Sequence, residues 1–169
     1  QQAELVLANG FDPVGTLDLI EAEQITVLPL APVVIAHWMS EVTADIDLAA
    51  KLASVRLVLC GSAPLAPELS RAFTERTGLV VHQGYGLTEA APVVSLTLGS
   101  EHPPSGTVGA LVPGVQVRLV DESGSAPESE DAGEIMIKGD NLFSGYWPDG
   151  ADGPDEDGWW PTGDMGFID

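Results

Sequence analysis

Leu79-Val80-Val81-His82-Gln83-Gly84-Tyr85-Gly86-Leu87-Thr88-Glu89 is the stretch whose reading decides the fold. Its apolar start, Leu79 to His82, predicts a short buried strand. The run Gln83 to Glu89 then predicts a strand-to-loop passage built for a small molecule. Gly84 and Gly86 can adopt backbone angles closed to other residues and let a ligand approach the main chain. Tyr85 offers a stacking face. Thr88 carries a hydroxyl that can donate to a phosphate or acyl oxygen, and Glu89 a carboxylate that can hold a divalent ion. Alone, the run also fits an ordinary tight turn with a core tyrosine.

Working outward, Asp12-Pro13 opens a helix, with Asp12 as cap and Pro13 in the first turn, and Leu17 and Ile20 line one face. Ile25 to Leu28 reads as a strand that Pro29 and Pro32 break, and Val33 to Met39 as a helix. Leu48 to Leu52 gives a further helical turn or two, and Ser54 to Cys60 a strand. Pro67 to Thr77 is a helix with Gly78 as its stop. Strands separated by helices imply right-handed parallel crossovers, with ligands beyond the carboxyl ends of the strands. After residue 98 Gly and Pro recur every few residues, and Val115 to Val120 and Glu134 to Ile137 read as short strands. The expected fold class is α/β: a partial parallel sheet flanked by helices over residues 1–98, then a β-rich segment over 99–169. The acidic segments Glu122 to Asp131 and Pro148 to Gly158 read as exposed, mobile loops.

The chain of 169 residues carries 26 acidic residues against six Lys and Arg, a formal charge of -20. Such a surface repels nucleic acid and anionic membrane, so neither is expected as a partner. No apolar run approaches the roughly 20 residues needed to span a bilayer, and the first residues lack the features of a secretory signal. The sequence therefore predicts a soluble cytoplasmic protein. Cys60, the single cysteine, lies in the apolar run RLVLC and reads as a small core hydrophobe. His37, His82 and His102 are too dispersed to suggest a metal site, and His82 reads as a packing residue at a strand end.

Other segments fall into order around the first. Val58 to Leu65 contains Gly61-Ser62-Ala63-Pro64; Ser105 to Gly109 is followed by Pro113-Gly114; then come Gly133 to Gly139, Gly145-Tyr146-Trp147, and Gly158 to Asp164 ending in Thr162-Gly163-Asp164. With QGYGLTE, this series resembles the adenylate-forming superfamily of acyl-CoA and aryl-CoA ligases, luciferases and peptide-synthetase adenylation domains. FSGYWPDG and EDGWWPTGD look most like bacterial fatty acyl-CoA synthetases. The resemblance implies a β-rich half that contributes to a distorted barrel. It also implies ATP, Mg2+ and coenzyme A as cofactor and co-substrates, and a fatty acid or other carboxylic acid as substrate.

Position by position, the resemblance assigns Thr88 to the α-phosphate, Glu89 to Mg2+ and Tyr85 to the adenine face. Gly61, Ser62, Ala63 and Pro64 would cover the adenine's other side or edge, Gln83 and Gly84 would contact the adenine amino group or line the acyl tunnel, and Gly86 would belong to the same cofactor-binding run. Asp164 would bind the ribose hydroxyls; its plainer reading is a turn aspartate capping the Gly163 and Met165 backbone. Ser62 stands where the family pattern has glycine, which puts acyl preference in question. Trp159 and Trp160 read as anchors of the loop that presents Asp164. The family's phosphate loop and lysine-bearing domain are missing here. The expectation is thus the central part of a larger ligase, inactive alone, whose partners include the remainder of the parent enzyme. Alternatives are a ligase that loads a carrier protein, or a noncatalytic acidic α/β interaction domain.

Overall fold

The computed structural model describes residues 3–43, 45–101, 103–104, 106–128 and 131–168. His102, Ser105 and part of the acidic segment 122–131 (Ser129 and Glu130) lie outside the described residues. The chain forms two compact units. One comprises residues up to Tyr85 with Leu96–Gly109, the other Gly86–Ser95 with residues from Ala110 onward.

The first unit alternates helices and strands: α1 (Pro13–Ala22), β1 (Val27–Leu30), α2 (Pro32–Glu41), α3 (Leu48–Lys51), β2 (Leu57–Cys60), α4 (Pro67–Thr77) and β3 (Val81–Gly86), whose last residue belongs to the second unit. β1 pairs parallel with β2, Val27 opposite Leu57, and β2 pairs parallel with β3, Val58 opposite Val81. Asp12 caps α1, its carboxylate accepting from the Gly15 amide at 2.7 Å, and Asp47 caps α3 through the Ala50 amide at 3.0 Å. α4 stops at Gly78, whose φ of 74° ends the helix in the left-handed region. The helices pack pairwise, α1 on α2 and α3, and α4 on α2 and α3. Their apolar faces and the strands bury Leu17, Ile35, Trp38, Leu48, Val58 and Phe73. The Trp38 and Phe73 rings stack at 6.4 Å, and the indole N–H donates to the Pro13 carbonyl at 3.1 Å, so a fully buried tryptophan keeps its polar group paired.

Several boundaries differ from the sequence expectation: β2 begins at Leu57 and not at Ser54, and α2 extends to Pro32 and Glu41. Pro29 lies within β1 instead of ending it. β1 is the edge strand of its sheet, so a residue without an N–H is tolerated there. β3 starts at Val81 and runs on to Gly86, so Gln83, Gly84, Tyr85 and Gly86 are strand and not loop. The Thr77 hydroxyl accepts from the Leu79 amide at 3.1 Å, which uses Leu79 in the turn out of α4. Further along, Gln83 gains a partner distant in sequence: its amide donates to Thr97 Oγ1, and its carbonyl accepts from the Thr97 amide, both at 2.9 Å.

In the second unit β6 (Gln116–Val120), β7 (Gly133–Lys138) and β8 (Trp160–Gly166) form an antiparallel sheet in that order, with Val117 opposite Ile137 and Ile137 opposite Trp160. β4 (Val93–Leu96), whose last residue belongs to the first unit, and β5 (Ala110–Leu111) are two further short strands, and the Val112 amide donates to the Val94 carbonyl at 3.0 Å. The described parts of the acidic segments 122–131 and 148–158 are mostly exposed. Among the described residues, no helix is long and apolar enough to cross a membrane.

Phe73→Ala is expected to cost about 3–5 kcal/mol of stability and Asp12→Ala about 1 kcal/mol, because the first empties a fully buried site and the second removes one helix cap. Urea unfolding followed by circular dichroism ranks the two, and equal losses would contradict the placement of the core.

Candidate active site

In the first unit, Gly61, Ser62, Ala63 and Pro64 follow the carboxyl end of β2, where the Gly61 amide donates to the Leu30 carbonyl at 3.1 Å. A side chain at Gly61 would come within 3.7 Å of the Gly84 carbonyl, so this turn runs past the backbone of β3. Ser62, Ala63 and Pro64 are exposed, and Gln83, Gly84 and Tyr85 are half-buried. Ser62 has φ 70°, in the left-handed region that favours glycine. His82 meets the Thr97 carbonyl at 3.3 Å and has a structural place, as expected. Burial raises the Cys60 thiol pKa, as suits a core residue.

In the second unit, Gly86 ends β3, and Thr88–Ala90 form a 3-10 turn. A Cβ on Gly86 would collide with the Pro92 carbonyl, so glycine is needed here because the chain folds back on itself. The Leu87 amide closes that fold-back on the Pro92 carbonyl at 2.8 Å. Ala90 is fully buried, and the carbonyls around it are taken up by one distant segment. Asn141 Nδ2 donates to the Ala90 carbonyl at 2.6 Å and the Val93 carbonyl at 3.3 Å, and the Phe143 amide donates to the Glu89 carbonyl at 2.8 Å. Thr88 is left exposed at the start of the turn.

The same segment reaches the Glu89 side chain. Tyr146 donates its phenol to Glu89 Oε1 at 2.6 Å. This hydrogen bond, with a smaller contribution from the glutamate's own backbone, lowers the Glu89 pKa, and the same hydrogen bond raises that of Tyr146. Tyr146 is placed by an edge contact with Phe143 at 4.9 Å, and Phe143 by one with the buried Trp160 at 5.2 Å. An ionised carboxylate on a half-buried residue next to an exposed Thr88 is a suitable donor to a hard cation. The described residues hold no group of three such ligands, so a magnesium ion at Glu89 would draw its other ligands from water and substrate phosphates, as that ion commonly does.

Asp164 lies in β8, in an irregular part of its pairing with β7, where the register shifts between Glu134 and Met136. Gly163 takes φ 75°, and side chains replace the lost ladder bonds. The Gly163 amide donates to Glu134 Oε1 and the Asp164 amide to Thr162 Oγ1, each at 3.1 Å, while Thr162 Oγ1 donates to the Ile135 carbonyl at 2.8 Å. Trp160 ties its indole N–H to the Asp152 carbonyl at 2.7 Å, and Trp159 lies under Arg118 at 4.4 Å. The assigned residues are thus distributed over both units, Gly61–Pro64 and Gln83–Tyr85 in the first, Gly86, Thr88, Glu89 and Asp164 in the second. Sequence reading missed Asn141, Phe143, Tyr146 and Thr97 as positioning residues. Gly145-Tyr146-Trp147 stood out as a motif, but nothing in its local pattern pointed to Glu89.

Ser62→Gly is expected to stay within about 1 kcal/mol of the unsubstituted chain, since relief of left-handed strain is offset by unfolded-state entropy. Gly86→Ala is expected to lose about 1–3 kcal/mol by overpacking against backbone. Thermal melts of the two variants check this order.

Residues 2–147 match the family described as AMP-binding enzyme. The chain is 36% identical to 4-coumarate-CoA ligase 1 of Oryza sativa subsp. japonica, over 99% of this chain and 31% of that protein. It is 37% identical to 4-coumarate-CoA ligase 1 of Petroselinum crispum, over 98% of this chain and 31% of that protein. Among solved structures, ATP-bound MatB from Rhodopseudomonas palustris superposes with a TM-score of 0.84 at 32% identity, over 96% of this chain and 32% of that one. The anthranilate CoA ligase AuaEII in complex with anthranoyl-AMP gives 0.80 at 25% identity, over 93% of this chain and 30% of that one. The chain spans about a third of the length of the curated relatives it matches. With a match covering most of its length and a mixed α/β fold that superposes on such enzymes, this chain belongs to the AMP-binding enzyme family.

Proposed function

We propose that a longer protein containing this segment is an acid-CoA ligase that forms AMP. A carboxylate oxygen of the substrate attacks the α-phosphorus of ATP, the bond to the β-phosphate breaks, and pyrophosphate leaves. The thiol sulfur of coenzyme A then attacks the acyl carbon and displaces AMP. The substrate carboxylate is already ionised, so the first step needs charge stabilisation and alignment in place of a base. The observation that carries this reading is Glu89, whose carboxylate accepts from the Tyr146 phenol at 2.6 Å on the turn that Thr88 opens, in a chain of the AMP-binding family.

In this reading Thr88 donates to the α-phosphate, and Glu89 would hold Mg2+, which supplies positive charge to the phosphates. Tyr85 stacks on adenine; Gly61, Ser62, Ala63, Pro64, Gln83, Gly84 and Gly86 provide close backbone and small side chains along the nucleotide. Asp164 accepts from the ribose hydroxyls. For the acid, FSGYWPDG and EDGWWPTGD favour a fatty acid, whereas the names of the relatives, 4-coumarate and anthranilate CoA ligases, favour an aromatic acid. Pyrophosphate release from a panel of both kinds, assayed with the longer protein, separates them.

Glu89→Gln in that protein is expected to lower turnover and alter its Mg2+ dependence, since shape is kept and charge removed. Unchanged turnover and metal titration would take Glu89 out of the metal's surroundings. Asp164→Ala is expected to weaken ATP binding by about 1.5–3 kcal/mol, roughly one to two powers of ten, and to spare the acid. In that variant 2'-deoxy-ATP should lose most of its disadvantage against ATP. Persistent discrimination would show that Asp164 does not bind the ribose.

A further inference from the structure

Segment 141–146 touches the Glu89 turn at three levels. Asn141 holds the Ala90 and Val93 carbonyls, the Phe143 amide holds the Glu89 carbonyl, and Tyr146 holds the Glu89 carboxylate. The first two fix the backbone. The third is different, because Tyr146 is exposed and Glu89 only half-buried, and their bond adds little to the packing of the unit. Tyr146 is nevertheless well placed from behind. Its ring meets Phe143 edge-on, Phe143 meets Trp160, and the Tyr146 amide and carbonyl bond Ala151 and Gly150, each at 2.8 Å. An exposed phenol so firmly braced, directed at one carboxylate oxygen, serves orientation better than stability.

We propose that Tyr146 is a positioning residue for Glu89, whose phenol fixes the direction of the carboxylate and leaves it ready to meet a cation. The proposal rests on the role assigned to Glu89 above and adds a residue to it. With Oε1 accepting from the phenol, rotation of the carboxylate is restricted before any nucleotide arrives. The rings behind the phenol, Phe143 against Tyr146 and Trp160 against Phe143, are uncharged.

Tyr146→Phe removes the hydroxyl and keeps the ring against Phe143. In this chain, the order of the Glu89 side chain is followed by NMR relaxation of its methylene groups, with the resonances assigned through Glu89→Gln. That order is expected to fall in Tyr146→Phe. Unchanged order would show that the phenol does not restrain the carboxylate, and the proposal is overturned. In the longer protein, Tyr146→Phe is expected to lower kcat for adenylate formation about tenfold with the ATP KM nearly unchanged. A loss of order with an unchanged kcat would overturn the positioning role. If Glu89→Gln itself leaves adenylation unaffected while Tyr146→Phe still loosens the Glu89 side chain, it is the metal-directed reading of Glu89 that fails.

Discussion

Ala90 is fully buried, and its burial organises the second unit. Carbonyls around a buried residue must find donors, because an unpaired polar group away from water costs as much as a lost hydrogen bond or more. The turn supplies one donor itself, the Leu87 amide on the Pro92 carbonyl, and Gly86 permits the approach this requires. The Glu89, Ala90 and Val93 carbonyls are supplied from residues 141–143, about fifty positions away in sequence. Once those bonds are made, Tyr146 follows three residues after Phe143 and reaches the one ionisable side chain of the turn. Backbone satisfaction and side-chain placement are therefore one event.

Much of the first unit was legible from local chemistry. Asp12-Pro13 opens α1, and Pro67 and Gly78 bound α4 as expected, because capping and left-handed termination depend only on neighbouring residues. Features that depend on distant partners were not legible. The extension of β3 through Gln83 requires Thr97, and the tolerance of Pro29 depends on β1 lying at a sheet edge. In the candidate site, Thr88 and Glu89 stood out by residue type, whereas Tyr146 did not, since a tyrosine after glycine has no local feature linking it to a glutamate 57 residues earlier. The strand around Asp164 was read as a turn for a related reason. The bulge keeps its hydrogen bonds through the side chains of Thr162 and Glu134, and Glu134 lies on another strand.

Charge sets a further constraint. With 26 acidic residues and six Lys and Arg, the chain offers an anionic nucleotide little attraction of its own. In residues 99–169 the basic residues are Arg118 and Lys138, and both lie over the Trp159 ring, at 4.4 and 5.9 Å. Those cations are engaged over the face of one indole. At Glu89 itself the carboxylate adds repulsion, so any phosphate group drawn to this turn would need a cation beside it.

The same surplus of acid sets the background against which the Tyr146 contact acts on Glu89. Like charges favour the protonated form of any carboxylate, and a chain with this composition surrounds its carboxylates with others. Water and salt limit that effect, because charges farther apart than the Debye length of about 8 Å are largely screened at physiological ionic strength. A hydrogen bond at 2.6 Å acts within that distance and is not screened in the same way. The nearest specific contact therefore lowers the Glu89 pKa against a diffuse acidic background, and a neutral donor such as a phenol does so without placing a cation beside the carboxylate.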